Sequence, residues 1–225
     1  MKERSVIFTG DEVRATLEGR KTQFRRVVKP QHIPAATRTL RWENQDADEL
    51  RLVAKCPFGV PGNRLWAKET WWTYPKPMTD KLLRDGADTW PRWRHGGLLY
   101  DADVSKTDQE EWTELGWVRK PSIHMPRWAS RIYLEIVSVR VERVQHISEE
   151  DVIAEGVNVP RCGKCGYTRW DCGYHMDHRF CGGNDPDSGL HSFAYQWNST
   201  HGPDAWSRND WVWVVEYRVL KGGKQ

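Results

Sequence analysis

The chain has 225 residues and a mass of 26.4 kDa, enough for one elaborated domain or two small ones. Its 34 basic and 31 acidic residues leave a net charge of +3, too balanced to mark a nucleic-acid binder by itself; only Lys21, Arg25, Arg26 and Lys29 form a local basic cluster. No stretch approaches the ~18 consecutive apolar residues of a bilayer span, and Met1–Val6 lacks the apolar run of a signal peptide, so a soluble cytoplasmic protein with no membrane partner is expected.

In chain order, Ser5–Phe8 reads as a short strand. Thr9 and Glu12 have the spacing of a capping box. Val13 and Leu17 lie one turn apart and Gly19 is a stop, which together predict a helix over 10–18. Residues 20–28 leave it as a polar loop or strand. Leu40–Trp42 and Leu50–Val53 read as hairpin arms, followed by the turn-rich stretch Pro57–Gly62. Arg64–Trp72 reads as one strand, with Leu65, Ala67 and Glu69 on one face. Segment 75–118 carries Pro, Gly and Trp without a period and is expected to be an insertion with some local structure.

Residues 130–145 carry the strongest β pattern. Ile132, Leu134 and Ile136 alternate on one face; Val139 and Val141 continue in the opposite phase. That flip predicts a bulge or bend near Val137–Ser138, as a small barrel needs. Ser148–Asp151 starts another helix. Leu190, Phe193 and Trp197 share one side of a helix predicted over 189–198. Trp211–Leu220 is strongly β-prone and should close the sheet, and 221–225 should fray.

Two features of composition point to chemistry. Of 14 tryptophans, most must brace the core, since one pocket uses only one or two for stacking. Of five cysteines, four form the pattern C-x2-C-x6-C-x8-C: Cys162, Cys165, Cys172 and Cys181. Gly163, Gly166 and Gly173 supply turns that let thiolates converge. Without a sign of secretion, a tetrahedral Zn2+ site is favoured over disulfides, with His175 or His178 able to replace one thiolate. Four thiolates leave no open position for water, so such a zinc is structural.

Four segments then point to a family: Leu17–Thr22 (LEGRKT), Pro61–Trp71 (PGNRLWAKETW), Lys120–Arg131 (KPSIHMPRWASR) and Trp211–Tyr217 (WVWVVEY), with Ile147–Gly156 as a matching helix. Together they resemble the ASCH family, in the long form found in phages and prophages. The resemblance implies an α+β fold, a single domain over 1–225 built on a PUA-like β-barrel with flanking helices. Insertions fall at about 75–118 and 159–185, the latter a zinc-knuckle-like loop. It implies a pocket for a nucleobase, nucleoside or RNA.

One bacterial branch of that family removes the acyl group from N4-acetylcytidine with a Lys, a Thr three residues later and a Glu on the helix after the long strand. Those positions fall on Lys21, Phe24 and Glu155. A phenyl ring is no nucleophile, and Thr22 is the nearest hydroxyl. Asn63 stands where the family usually has Asp.

Two mechanisms remain open. In one, Thr22 attacks with Lys21 as base and Glu155 orienting it. In the other, Glu155 activates a water and Lys21, as ammonium, stabilises the oxyanion. Phe24 and Arg25 flank the pocket on this reading. Arg127, Trp128, Ser130 and Arg131 form a candidate set for stacking and holding a base. Glu69 is either a carboxylate accepting from the cytosine amine or a partner for Arg64 or Lys68. The rival functions are a non-catalytic RNA or modified-base binding module and, third, a ribonuclease.

Overall fold

The structure is a computed structural model and describes residues 3–29, 39–41, 55–73, 98–157 and 188–220. Its elements are β1 (Glu3–Ile7), α1 (Gly10–Leu17), β2 (Gln23–Val27), β3 (Thr39–Arg41), β4 (Arg64–Lys68), β5 (Trp71–Thr73), β6 (Leu98–Tyr100), α2 (Lys106–Glu114), β7 (Val118–Lys120), β8 (Tyr133–Arg143), α3 (Glu149–Ala154), α4 (Ser188–His201) and β9 (Trp211–Leu220). The chain is α+β with mixed sheets. It divides into two compact units: Met1–Leu17, Asn63–Glu135 and Val219–Gln225 form the first; Glu18–Gly62 and Ile136–Arg218 form the second.

In the first unit β1 runs parallel to β4, from Glu3 opposite Arg64 to Ile7 opposite Lys68. The first residues of β8 lie antiparallel on the other side of β4, with Leu65 opposite Leu134. Val6, Leu65, Ala67 and Leu134 are buried, as strand alternation requires. Helix α1 begins at the predicted capping box: Thr9 N–H donates to Glu12 Oε2 at 2.9 Å and Glu12 N–H to Thr9 Oγ1 at 3.3 Å.

The stretch read as one strand, Arg64–Trp72, is two. Glu69 leaves the ladder, its N–H donating to the Met125 sulfur at 3.4 Å while its carboxylate turns to Arg131. The chain resumes as β5, the centre of a sheet ordered β6-β5-β7. Trp72, Leu99 and Trp117 form one core there, with Trp112 packed against it. Trp71, Met125 and Ala129 form another. These tryptophans are bracing, as their number suggested.

In the second unit β2 and β9 pair antiparallel, with Phe24 opposite Val215 and Arg25 opposite Val214. β9 is neighboured by β8. The predicted phase flip in β8 is present: Leu134 and Ile136 are buried, Val137 is 52% exposed, and Val139 and Val141 are buried again. Val144, Ile147, Val152, Phe193, Trp197, Ala205, Val212 and Val214 make the core that seats α3 and α4 on β9. Each fully buried aromatic or aliphatic side chain there contributes about 1.5–3 kcal/mol. Gly19, with φ at +76°, takes the left-handed conformation expected of the stop after α1.

Of the proposed hairpin, only part of the first arm falls within the described residues. Its first arm, β3, pairs with β8, Leu40 opposite Val141; the other arm, Leu50–Val53, lies outside the described residues, as do 74–97, the cysteine-rich insertion and the tail 221–225. Among the described residues the strands do not close a barrel, because β1 pairs only with β4 and β2 only with β9, so both end a row. Among them also, no helix is long and apolar enough to cross a membrane.

Candidate functional site

The second unit contains a cluster of buried charges, and it includes three of the residues singled out in the sequence. Just before β2, the backbone of Lys21 forms an isolated antiparallel bridge with Glu155. Thr22 N–H donates to the Ala154 carbonyl at 2.8 Å. From there Lys21, Gln23 and Arg25 alternate along the strand and all reach α3 or the residue that ends it. Lys21 Nζ donates to Glu155 Oε2 and to the Glu155 carbonyl, both at 2.8 Å. Gln23 Nε2 donates to the Asp151 carbonyl at 2.8 Å. Arg25 Nη1 donates to Glu155 Oε1 at 2.8 Å; its Nη2 donates to Glu142 Oε1 at 2.7 Å and Asp151 Oδ2 at 2.8 Å.

The carboxylates are delivered by two elements. Glu155 follows directly on α3, whose start is fixed by the Ser148 hydroxyl accepting from Asp151 N–H at 3.2 Å. Glu142 comes from the second half of β8, where the phase flip turns Arg140 and Glu142 to one face. Arg140 Nε donates to Glu142 Oε2 at 3.2 Å, its Nη2 to Asp151 Oδ2 at 2.6 Å, and its Nη1 to Glu216 on β9. Three cations, Lys21, Arg25 and Arg140, thus face three carboxylates, Glu142, Asp151 and Glu155, with half-exposed Glu216 at the margin.

Burial and pairing act in opposite directions on these groups. For Asp151, burial pushes the carboxyl up, but Arg25 and Arg140 outweigh it and hold the group below the ordinary aspartate value. For Arg25, burial disfavours the charge, and Glu155, Glu142 and Asp151 outweigh it, holding the guanidinium above its ordinary value. Arg140 is raised in the same way, burial being outweighed chiefly by Glu142 and Asp151.

Lys21, which is 2% exposed, Arg25 and Glu155 are therefore brought together. Thr22 is exposed and sits between buried Lys21 and Gln23, on the opposite side of the segment. Phe24 shares that opposite side: fully buried, it packs edge-on against Phe58 at 5.1 Å and beside Tyr217 at 6.0 Å.

The remaining candidates belong to the first unit. Glu69 pairs with Arg131, not with Arg64 or Lys68: Arg131 Nε and Nη2 reach its two oxygens at 2.9 and 3.0 Å. Burial pushes the Glu69 carboxyl up, against the pull of Arg131. Arg131 also binds Asp103 and stacks on Tyr100 at 4.0 Å, so each of its three nitrogens already has a carboxylate partner. Arg127 pairs with Glu3 and lies over the Tyr133 ring at 4.3 Å. Trp128 is 72% exposed, edge-on to Trp71 at 6.5 Å. Ser130 is buried and its hydroxyl donates to the Ala67 carbonyl at 2.8 Å, a backbone tie.

Sequence reasoning missed Arg140, Glu142, Asp151 and Glu216. The signal was there in spacing: Gln23 and Arg25 on one strand flank Phe24, and Arg140 and Glu142 on another flank Val141. That alternation normally marks a solvated strand face, and here a helix covers it. Cys162, Cys165, Cys172 and Cys181, with His175 and His178, lie outside the described residues. Among the described residues no group of three or more His, Cys, Asp or Glu is placed to hold a metal ion. No family model, no curated protein and no solved structure matches this chain.

Proposed function

We propose that this chain is a cytoplasmic ASCH-type protein of PUA-like fold, an amidohydrolase that removes the acyl group from N4-acylated cytosine or cytidine-type nucleosides. The observation that supports it best is the contact between Lys21 and Glu155, 2.8 Å apart although 134 residues separate them in the chain. The resemblance assigns catalytic roles to these two positions. In this reading water is the nucleophile, because the Thr22 hydroxyl is on the far side of the segment and Phe24 belongs to the core. Glu155 takes a proton from water as its oxygen attacks the amide carbon. The Lys21 ammonium stabilises the oxyanion, and the C–N bond then breaks with the proton passing to the leaving N4. The products are the free cytosine amine and a carboxylic acid.

The cysteine pattern C-x2-C-x6-C-x8-C is proposed to hold a structural Zn2+, the donor set of four thiolates being the one zinc prefers. That metal takes no part in the steps above.

A second reading is favoured by the same Phe24. With a phenyl ring at the position where the resemblance expects a hydroxyl, and with the Lys21 amine already committed to Glu155, the site suits a module that binds RNA or a modified base without transforming it.

The test is to incubate purified protein with N4-acetylcytidine and follow cytidine release. Lys21→Ala and Glu155→Ala should each abolish turnover in protein that still unfolds cooperatively; full activity in both would falsify the assigned roles. Binding that survives Lys21→Ala, weakens steeply with salt and gives no product supports the second reading.

A further inference from the structure

Arg25 has no role in the steps just described, and its surroundings give it one, resting on that reading of the site. The side chain is 1% exposed. The two oxygens of Glu155 are divided between two cations: Oε2 accepts from Lys21 and Oε1 from Arg25. A carboxylate gripped at both oxygens is fixed in rotamer and in plane.

Arg25 is gripped in turn. Glu142 and Asp151 accept from Nη2, and Arg140 reaches both of those carboxylates from β8. The guanidinium lies 5.8 Å from the Phe193 ring of α4. Among the described residues its Nε has no hydrogen-bond partner and is sealed from solvent. A ligand therefore finds no accessible edge of this arginine, unlike the flanking contact expected from the sequence.

We propose that Arg25 is a positioning residue, holding the Glu155 carboxylate against Lys21 while Glu142, Asp151 and Arg140 hold Arg25. The arrangement is a relay of fixed geometry from β8 through β2 to the end of α3. Geometry of this kind matters because a misplacement of about 1 Å at a reacting group lowers a rate by roughly 100-fold. A residue acting this way changes the rate of the step and not the affinity for substrate.

The kinetic test compares wild type with Arg25→Met, Arg25→Lys and Glu142→Gln on N4-acetylcytidine. Arg25→Met should lower kcat by about 100-fold, with KM within about twofold of wild type. Arg25→Lys keeps the charge and one contact, and should recover about tenfold of that loss. Glu142→Gln loosens Arg25 without touching Glu155, and should lower kcat by about threefold to tenfold. It also decides the matter if Arg25→Met does not fold. A raised KM at unchanged kcat overturns the proposal, since Arg25 then contacts substrate; so does wild-type kcat in folded Arg25→Met, or in Glu142→Gln.

A second measurement separates this proposal from the reading it rests on. The 15Nζ resonance of Lys21, followed without ligand, reports the hold of Glu155 on the ammonium. Its slow proton exchange should be lost in Arg25→Met and kept in Arg25→Lys. If wild type releases no cytidine, the amidohydrolase reading fails, yet this signal still decides the positioning role: an unchanged resonance in folded Arg25→Met overturns it.

Discussion

Substituting Lys21→Met and Glu155→Leu, singly and together, measures what the buried pair contributes to the fold. The two side chains are 3% and 7% exposed, so the solvent screening that reduces surface pairs to about 0–1 kcal/mol does not apply. Removing Lys21 takes a charge-assisted hydrogen bond of about 1.5–3 kcal/mol from Oε2 and a weaker one of about 1 kcal/mol from the Glu155 carbonyl. It also leaves three carboxylates facing two cations. Together these put the single variant about 3–5 kcal/mol below wild type. Glu155→Leu strands Lys21 and frees one arm of Arg25, and should cost about the same. The double variant leaves Arg25 and Arg140 against Glu142 and Asp151, still balanced, with apolar side chains filling the space. It should lie about 1–3 kcal/mol below wild type, the cost of the Arg25 Nη1 left unpaired, and well short of the sum of the two single losses. Urea unfolding at equilibrium, followed by tryptophan fluorescence, gives all four values. Additivity of the two single losses to within about 0.5 kcal/mol would refute the reasoning, since it would mean that neither charge depends on the other.

Three further outcomes follow from the same geometry. The Asp151 carboxyl is held below its unfolded value of about 3.9, so the stability it contributes is present above about pH 4 and is lost as the pH falls through the lower folded value. Asp151→Asn should be less stable than wild type near neutrality, with the gap narrowing in acid; a constant gap in pH-dependent urea titrations counts against the pairing with Arg25 and Arg140. Phe24→Thr places a hydroxyl where the ASCH resemblance expects one, but on the side away from Lys21 and at the loss of a fully buried ring. It should cost about 3–5 kcal/mol and raise no turnover; a gain in cytidine release would return the nucleophile to this position. Elemental analysis should find about one zinc per chain, the share expected of a four-thiolate site, and Cys172→Ser should lose it. A full complement of metal in that variant removes Cys172 from the site.

The local features were legible because their signals are local. The Thr9–Glu12 capping box, the Gly19 stop, the β8 phase flip and the Trp211–Leu220 strand each follow from residues a few positions apart, and each is present. Partner choice was not legible. The β3 segment was read only as a hairpin arm, the pairing with the least loop to close, and nothing in it records its pairing with β8 about 100 residues away. Arg64–Trp72 looked continuous because nothing in its pattern records that Glu69 would turn aside to Arg131. For the site, Lys21 and Glu155 came from resemblance alone, since no periodicity links positions so far apart. Arg140 and Glu142 were hidden by looking ordinary: charges alternating with valines suit a wet strand face as well as a covered one, and only the position of Asp151 on α3 distinguishes the two.

The remaining question is why a fold should bury an ammonium against a carboxylate at this place. Fixing register is the usual structural answer, but the main chain already does that. Thr22 N–H is bound to the Ala154 carbonyl and Tyr217 N–H to the Thr22 carbonyl, both at 2.8 Å, which ties the start of β2 to the end of α3 and to β9 without any side chain. A well-packed apolar pair in the same space avoids the desolvation of two charges and is commonly neutral or more stable by about 1–4 kcal/mol. Stability and register therefore leave the identity of residues 21 and 155 unexplained, while an amine and a carboxylate at hydrogen-bond distance are what water activation and oxyanion stabilisation require. The Lys21→Met/Glu155→Leu protein separates the two accounts directly. A stability loss of only about 1–3 kcal/mol with lost turnover or ligand binding assigns the pair to function; a loss of stability as large as the two single losses combined assigns it to the architecture of the second unit.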